Sequence, residues 1–369
     1  MATHVVCLDG TGQTKAQQHP TNIARIFDSL GGAAADAGNG SWETTAGAPA
    51  PLTGKYLPGV GTQGNPILRL LGSAFGDGIA ELIIRGYTFL SRNHGPGDAI
   101  IITGFSRGAT AARALAGFVA VHGLLDRTRY DVNDKDAAYK RAIAAWYAYR
   151  EPKPDFASQA RLALMRATFG LPVLQAADYV TVPQIQAVGV FDTVSSLGLP
   201  RLDSNGDAVF DFTICDTTLN AKVKNGFHAL AADETRDLFS PTFWAAREGV
   251  VQHIFPGVHS NVGGGYPERG LSDGALDWML SQLEAVGLAC NRARIVPPIA
   301  ADPLDIARDE AVTFPFRDTP RRARGFPGSM QPNPFLLARW NRPIEVLPGD
   351  AVTPYRATGT YADGSPIHL

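Results

Sequence analysis

The chain is poor in cysteine, with only Cys7, Cys215 and Cys290 in 369 residues and no Cys-x-x-Cys pair. An odd count without paired spacing indicates neither a disulfide framework nor a thiolate zinc site; it reads as buried thiols in a protein made in a reducing compartment. An excess of either charge is also missing. The 33 Lys and Arg against 35 Asp and Glu leave a net of −2, which implies no global attraction to nucleic acid. No run is long and apolar enough to span a bilayer. The opening Met1 to Asp9 lacks the basic and long apolar regions of a signal peptide. The expected location is the cytoplasm of the producing cell, with any export left to a dedicated machine. No cofactor and no metal ion are expected.

Glycine, by contrast, is abundant, at 39 residues. Ala99 to Phe105 is an Ile-rich apolar run that reads as a buried strand. Beyond Gly108, residues Ala109, Ala112, Leu115, Ala116 and Val119 recur at helical spacing. Between strand and helix lies Gly104-Phe105-Ser106-Arg107-Gly108, the G-x-S-x-G pattern of a nucleophile elbow in its strand–turn–helix context. The serine needs a sharp turn so that its hydroxyl clears the sheet, and the glycines remove Cβ atoms where strand and helix crowd. The plain alternative is a glycine-rich turn.

The rest of the chain alternates helices with short apolar strands, which argues for a mostly parallel sheet flanked by helices. His4 to Leu8 is a strand that breaks into Asp9-Gly10-Thr11-Gly12. That loop fails a dinucleotide fingerprint because position 15 is Lys15, and an Asp-x-Asp-Gly-Thr phosphatase motif because position 7 is Cys7. It suits the early loop of an α/β-hydrolase that supplies an oxyanion N–H from Gly10 or Thr11. Thr21 is expected to cap a helix with Ile23, Ile26, Phe27 and Leu30 inward. Gly31 to Pro51 reads as a flexible loop. Lys55 to Leu57 reads as a strand, and Ile79, Leu82, Ile83 and Phe89 mark another helix.

From Leu124 to Pro183 no buried strand is legible, and residues 124–183 are expected as an inserted helical cap. It reads either as a lipid-facing lid or as a helical layer packed on the sheet. Ile185 to Phe191 and Val250 to Phe255 read as strands. Phe227 to Leu238 reads as a helix carrying His228, with Asp233 paired to Arg236. Asp203 to Asp207 resembles the start of a calcium loop but lacks its glycine and closing glutamate, and so reads as a turn. Ser272 is expected to cap the helix of Leu276, Met279, Leu280 and Leu283. The expected organisation is one catalytic domain over residues 1–290 and a Pro- and Arg-rich extension, 291–369, packed on it.

A serine hydroxyl is a weak nucleophile until a base takes its proton, and that base is oriented by a carboxylate. The hydrolase chain order is Ser, then Asp or Glu, then His. Ser106, Asp192 and His259 follow that order, and each sits just past a strand, where open α/β sheets place their sites. His253, His228, His94 and His122 are the rival bases, and Asp233 and Asp9 the rival carboxylates. The N–H of Arg107, with one from Gly10 or Thr11, completes an oxyanion hole.

Several blocks together also carry a resemblance: Asp9-Gly10-Thr11-Gly12, Thr21-Asn22, Pro58-Gly59-Val60-Gly61-Thr62, Gly104 to Ala109, Phe191-Asp192-Thr193-Val194, His228-Ala229-Leu230 with Asp233-Glu234, and Gly257-Val258-His259-Ser260 with Gly263 to Tyr266. In this order they resemble the catalytic domain of the type VI secretion phospholipase effectors. The resemblance implies an α/β-hydrolase fold, a Ser-Asp-His triad and phospholipase A activity on glycerophospholipids. It also implies contact with a membrane surface, delivery by the secretion machine and an immunity protein in the producer. Asn261 departs from the aspartate usual there, and Gln13 from asparagine. Two other functions stay open on the residues alone: a soluble carboxylesterase for small esters, and a catalytically silent hydrolase-fold binding protein.

Overall fold

The computed structural model describes residues 1–47, 50–60, 78–150, 156–194, 201–202, 208–209, 217–308, 320–345 and 350–367. Cys215, the turn at 203–207, and Gly61 and Thr62 lie outside them. Among the described residues nine strands share one sheet: β1 (Thr3–Leu8), β2 (Ala35–Gly38), β3 (Ser41–Ala46), β4 (Leu52–Leu57), β5 (Ala99–Phe105), β6 (Ile185–Phe191), β7 (Val223–Ala231), β8 (Val250–Phe255) and β9 (Gln331–Pro332). Their spatial order is β9-β8-β7-β6-β5-β1-β4-β3-β2. Seven of them, β9 to β4 in that order, run parallel to their neighbours, and β3 and β2 close one edge antiparallel.

The central strands are apolar on both faces because helices cover both. Val6, Leu8, Ile100 and Ile102 pack on one side; Val5, Cys7, Ile101 and Phe105 pack on the other. The second side is covered by α1 (Asn22–Ser29), capped by Thr21 as expected, and by a later helix carrying Leu276, Met279 and Leu283. The first side is covered by α2 (Ile79–Asn93) and α3 (Arg107–His122). Against these two lies a further layer of α4 (Lys135–Arg150) and α5 (Phe156–Phe169). Trp146, Tyr147 and Met165 of that layer share the cluster of Phe118 and Tyr87. The segment expected as a cap therefore rests on α2 and α3 as a helical layer.

The register aligns the strand ends that matter. Leu8 pairs with Gly104, and Phe105 with Phe191; Ala229 also pairs with Phe191, and Ala231 with Phe255. From β1 the chain reaches β4 on one side and then β5 on the other, so the sheet's switch point falls between β1 and β5. Crevices for ligands open there, beyond the carboxyl ends of the strands. Beyond β8 come α6 (His259–Gly263), α7 (Gly270–Ala285) and α8 (Pro334–Arg339). Phe326, Met330, Leu336, Ile344 and Tyr355 bury themselves with Leu230 and Ile254 in a third cluster.

Three expectations change. The stretch read as a loop, Gly31 to Pro51, contains β2 and β3, where Trp42 pairs with Tyr56 and Thr44 with Gly54; its Gly and Ala content hid an edge hairpin. Phe227 to Leu238 is not a helix: Val223–Ala231 is the buried strand β7, and His228 lies within it. A strand covered on both faces has no alternation, and Phe227, Leu230 and Ala231 happen to match helical spacing. Finally, α7 starts at Gly270, and the Ser272 hydroxyl donates to the Arg269 carbonyl inside the first turn rather than capping it.

Candidate active site

Ser106 sits between β5 and α3 with φ +58° and ψ −125°, a left-handed backbone that non-glycine residues rarely hold. Its N–H donates to the Phe191 carbonyl at 3.1 Å, and its carbonyl starts α3 by accepting from Ala109 N at 3.0 Å. Both flanking glycines are required by contact. A Cβ on Gly104 would lie 2.4 Å from the Gly108 carbonyl oxygen, and one on Gly108 would lie 2.2 Å from that of Leu8. The sequence thus brings helix, elbow strand and β1 closer than any larger residue permits.

Asp192 follows β6, fully buried, with φ +41°. Its Oδ2 lies 2.6 Å from His259 Nδ1, and its Oδ1 accepts the Ala231 N–H at 3.0 Å. Arg324 donates to both oxygens, Nη1 to Oδ1 at 2.6 Å and Nη2 to Oδ2 at 2.9 Å. Burial alone would raise the Asp192 carboxyl, but the Arg324 charge and the bonds from His259 and Arg324 outweigh it and hold the group well below the usual carboxylate range. Next door, the Thr193 N–H donates to His228 Nε2 at 3.1 Å. Burial and the Arg113 charge push His228 down to about 3, which keeps the ring neutral and able to accept that bond.

His259 opens α6 and is almost wholly buried. Its N–H donates to Glu234 Oε2 at 3.2 Å, and Glu234 is itself held by Arg236 through Nε at 2.8 Å and Nη2 at 2.7 Å. The ring lies between Phe105, 4.6 Å away between centroids, and Phe239, edge-on at 4.9 Å. With Nδ1 given to Asp192, Nε2 is buried and has no hydrogen-bond partner among the described residues. Asp192 and His259 are therefore bonded directly; Ser106 adjoins them through Phe105 and the Phe191 carbonyl, with no hydrogen bond to the imidazole.

The loop after β1 forms the other wall. A Cβ on Gly10 would lie 2.8 Å from the Phe105 ring and 3.4 Å from Ser106 Cβ. The Arg107 Nε donates to the Thr11 hydroxyl and ties this loop to the elbow. The Gly10 N–H is committed to Asp9 Oδ1 at 2.7 Å. No such bond occupies the Thr11 N–H among the described residues, so of the two expected donors only that of Gly10 is already engaged. Asp9 Oδ2 also accepts from Thr21 and Tyr56, at 2.7 and 2.6 Å; despite these bonds, burial raises Asp9 to about 6.

Of the rivals, Asp233 is half-buried and accepts from Gly257 N, Thr358 N and the Tyr355 hydroxyl. The ion pair expected between Asp233 and Arg236 is instead Glu234 with Arg236. His253 stacks on Trp278 at 5.4 Å. Asn261 keeps one acceptor of the usual aspartate, taking the Val258 N–H on Oδ1 at 3.1 Å. Sequence reasoning missed Arg324, Glu234 and Phe239 as parts of the site. Glu234 stood in a quoted block, but nothing distinguished Arg324 from Arg321 and Arg322.

Fold and site together define an α/β protein whose mostly parallel sheet, flanked by helices, gathers the loops after β1, β5, β6 and β8 at one rim. The family described as "T6SS, Phospholipase effector Tle1-like, catalytic domain" matches residues 3–282, and the chain belongs to that family. An uncharacterized protein of Saccharomyces cerevisiae, YEL023C, is 27% identical over 248 residues, which make up 64% of this chain and 31% of that protein. Among solved structures, one of an uncharacterized Pseudomonas aeruginosa protein aligns with a TM-score of 0.38 at 18% identity, over 79% of this chain and 46% of that one. A structure of the Tle1 effector bound to the VgrG spike of the type VI secretion system aligns with a TM-score of 0.37 at 19% identity, over 73% and 52%. The chain spans about half of each of those structures or less, and under a third of the yeast protein.

Proposed function

We propose that the protein is a serine hydrolase cleaving acyl esters of glycerophospholipids, phospholipase A type, with Ser106 as nucleophile, His259 as base and Asp192 as its orienting carboxylate. The observation that carries this is the 2.6 Å contact from His259 Nδ1 to a buried Asp192 oxygen, which leaves Nε2 without a partner in a ring packed 4.6 Å from that of Phe105, the residue before Ser106. In this reading Ser106 Oγ attacks the acyl carbonyl carbon while its proton passes to Nε2. The N–H groups of Arg107 and Thr11 receive the developing oxyanion, each such donor contributing about 3 kcal/mol. The imidazolium then protonates the departing lysophospholipid oxygen. Water, deprotonated by the same nitrogen, releases the fatty acid and restores Ser106. Membership of the phospholipase effector family supports the choice of lipid substrate. It also supports delivery into a target cell by the secretion machine, with an immunity protein guarding the producer.

The test is product analysis by mass spectrometry on defined phospholipid vesicles, with a monomeric ester alongside. Wild type is expected to release fatty acid and lysophospholipid, and to label once with a fluorophosphonate. Ser106→Ala is expected to do neither while melting cooperatively. Turnover of the monomeric ester alone points to a carboxylesterase, and an unlabelled wild type points to a silent hydrolase fold.

A further inference from the structure

At the end of the sheet opposite Ser106, three side chains from distant parts of the chain meet. His4 lies on β1, His94 follows α2, and Asp98 immediately precedes β5. Each offers one ligand atom, and the three atoms lie within 4.8 Å of one another. His4 Nε2 is 3.1 Å from Asp98 Oδ2, close to the roughly 3.3 Å between neighbouring ligands of one tetrahedral ion with bonds of about 2.0–2.1 Å. His4 Nδ1 is 2.8 Å from the Thr53 hydroxyl. A proton on Nδ1 directed to that oxygen leaves the Nε2 lone pair facing Asp98, the arrangement by which metal-bound histidines are commonly oriented.

A second observation is independent of that contact. His94 Nδ1 is buried and has no hydrogen-bond partner among the described residues, and a buried imidazole nitrogen left unpaired is unfavourable. A neighbouring positive charge, Arg127, is held by the carbonyls of Arg92 and Asn93 at 3.4 and 3.3 Å. A cavity of about 670 Å³, bordered by His94, Asp98, Thr128 and Gln184, gives an ion and water a way in. The ligand residues are 90 and four positions apart in sequence.

We propose that His4, His94 and Asp98 bind one divalent cation of the zinc class, two imidazole nitrogens and a carboxylate oxygen being a donor set suited to it. The ion stitches the start of β1 to the turn between α2 and β5, at the end of the sheet away from the hydrolase site. The rival is a plain hydrogen bond from His4 to Asp98 with an idle His94.

The experiment uses untagged full-length protein, stripped with chelator and titrated with Zn(II) and Co(II). The expected result is one equivalent bound, a tetrahedral cobalt absorption band and a rise in melting temperature with zinc. His94→Gln and Asp98→Asn, each verified by circular dichroism and by fluorophosphonate labelling at Ser106, are expected to weaken binding about tenfold or more and to abolish the rise. Absence of the cobalt band in wild type overturns the proposal, as does binding by both variants equal to wild type. Two variants are used so that misfolding of one leaves the other to decide.

Discussion

Arg324 grips Asp192 through both terminal nitrogens, at 2.6 and 2.9 Å, so the carboxylate bonded to His259 is shared with a permanent cation. The same guanidinium donates to the carbonyls of Ala231 and Phe239 at 2.8 and 2.6 Å. It therefore fixes the end of β7 and the ring that lies edge-on to His259. Removing one partner of such a buried pair strands the other, at a cost of about 3–5 kcal/mol. Arg324→Gln is expected to lower the denaturation free energy by roughly that amount and to reduce kcat/KM for ester hydrolysis. Arg324→Lys restores charge without the planar fork and is expected to fall between the two. Urea unfolding and steady-state kinetics on the same preparations check both.

Two buried carboxylates respond to pH in opposite senses. Asp192 is held below its unfolded value, near 3.9, because Arg324 and His259 overcome the effect of burial. Its contribution is present above pH ~4 and is lost as the pH falls through the folded value. Asp9 is raised to about 6 by burial. Its contribution is present below pH ~4 and is lost as the pH rises through about 6. Melting curves between pH 4 and 7 are expected to lose part of their slope in Asp9→Asn, whatever the absolute stability of that variant.

The elbow's backbone carries strain that a glycine would relieve. At φ +58° Ser106 sits where a side chain costs about 1 kcal/mol or more. Ser106→Gly is expected to raise unfolding free energy by about 1 kcal/mol while eliminating hydrolysis. A calorimetric melt beside an ester assay reads both effects.

Gly108 is the reverse case. A methyl there would lie 2.2 Å from the Leu8 carbonyl oxygen and 2.4 Å from that of Asp9. Neither backbone oxygen can swing aside as a side chain would. Gly108→Ala is expected to cost about 3 kcal/mol and to lose activity with stability, as α3 is pushed away from β1. Thermal denaturation and fluorophosphonate labelling test it.

Much of the central architecture was legible because its signals are local. The Ile100–Ile102 run, the Gly104 and Gly108 spacing and the apolar stretches before Asp192 and His259 each declare strand or turn without knowledge of neighbours. Thr21 announced its cap in the same way. What stayed hidden depends on partners. His228 was misassigned because a strand buried on both faces loses its alternation. The hairpin at Ala35 to Ala46 is defined by pairing to Tyr56 and Lys55, not by its own composition. Arg324 acquires its role through a contact spanning 132 positions, and the irregular chain around it offers no period from which to infer that contact.

That separation orders events during synthesis. The elbow serine, the carboxylate and the imidazole all leave the ribosome before residue 324 does. Until it emerges, Asp192 has no guanidinium to neutralise it as the core closes. The nascent chain therefore carries Ser106 for more than 200 residues before the site can be finished.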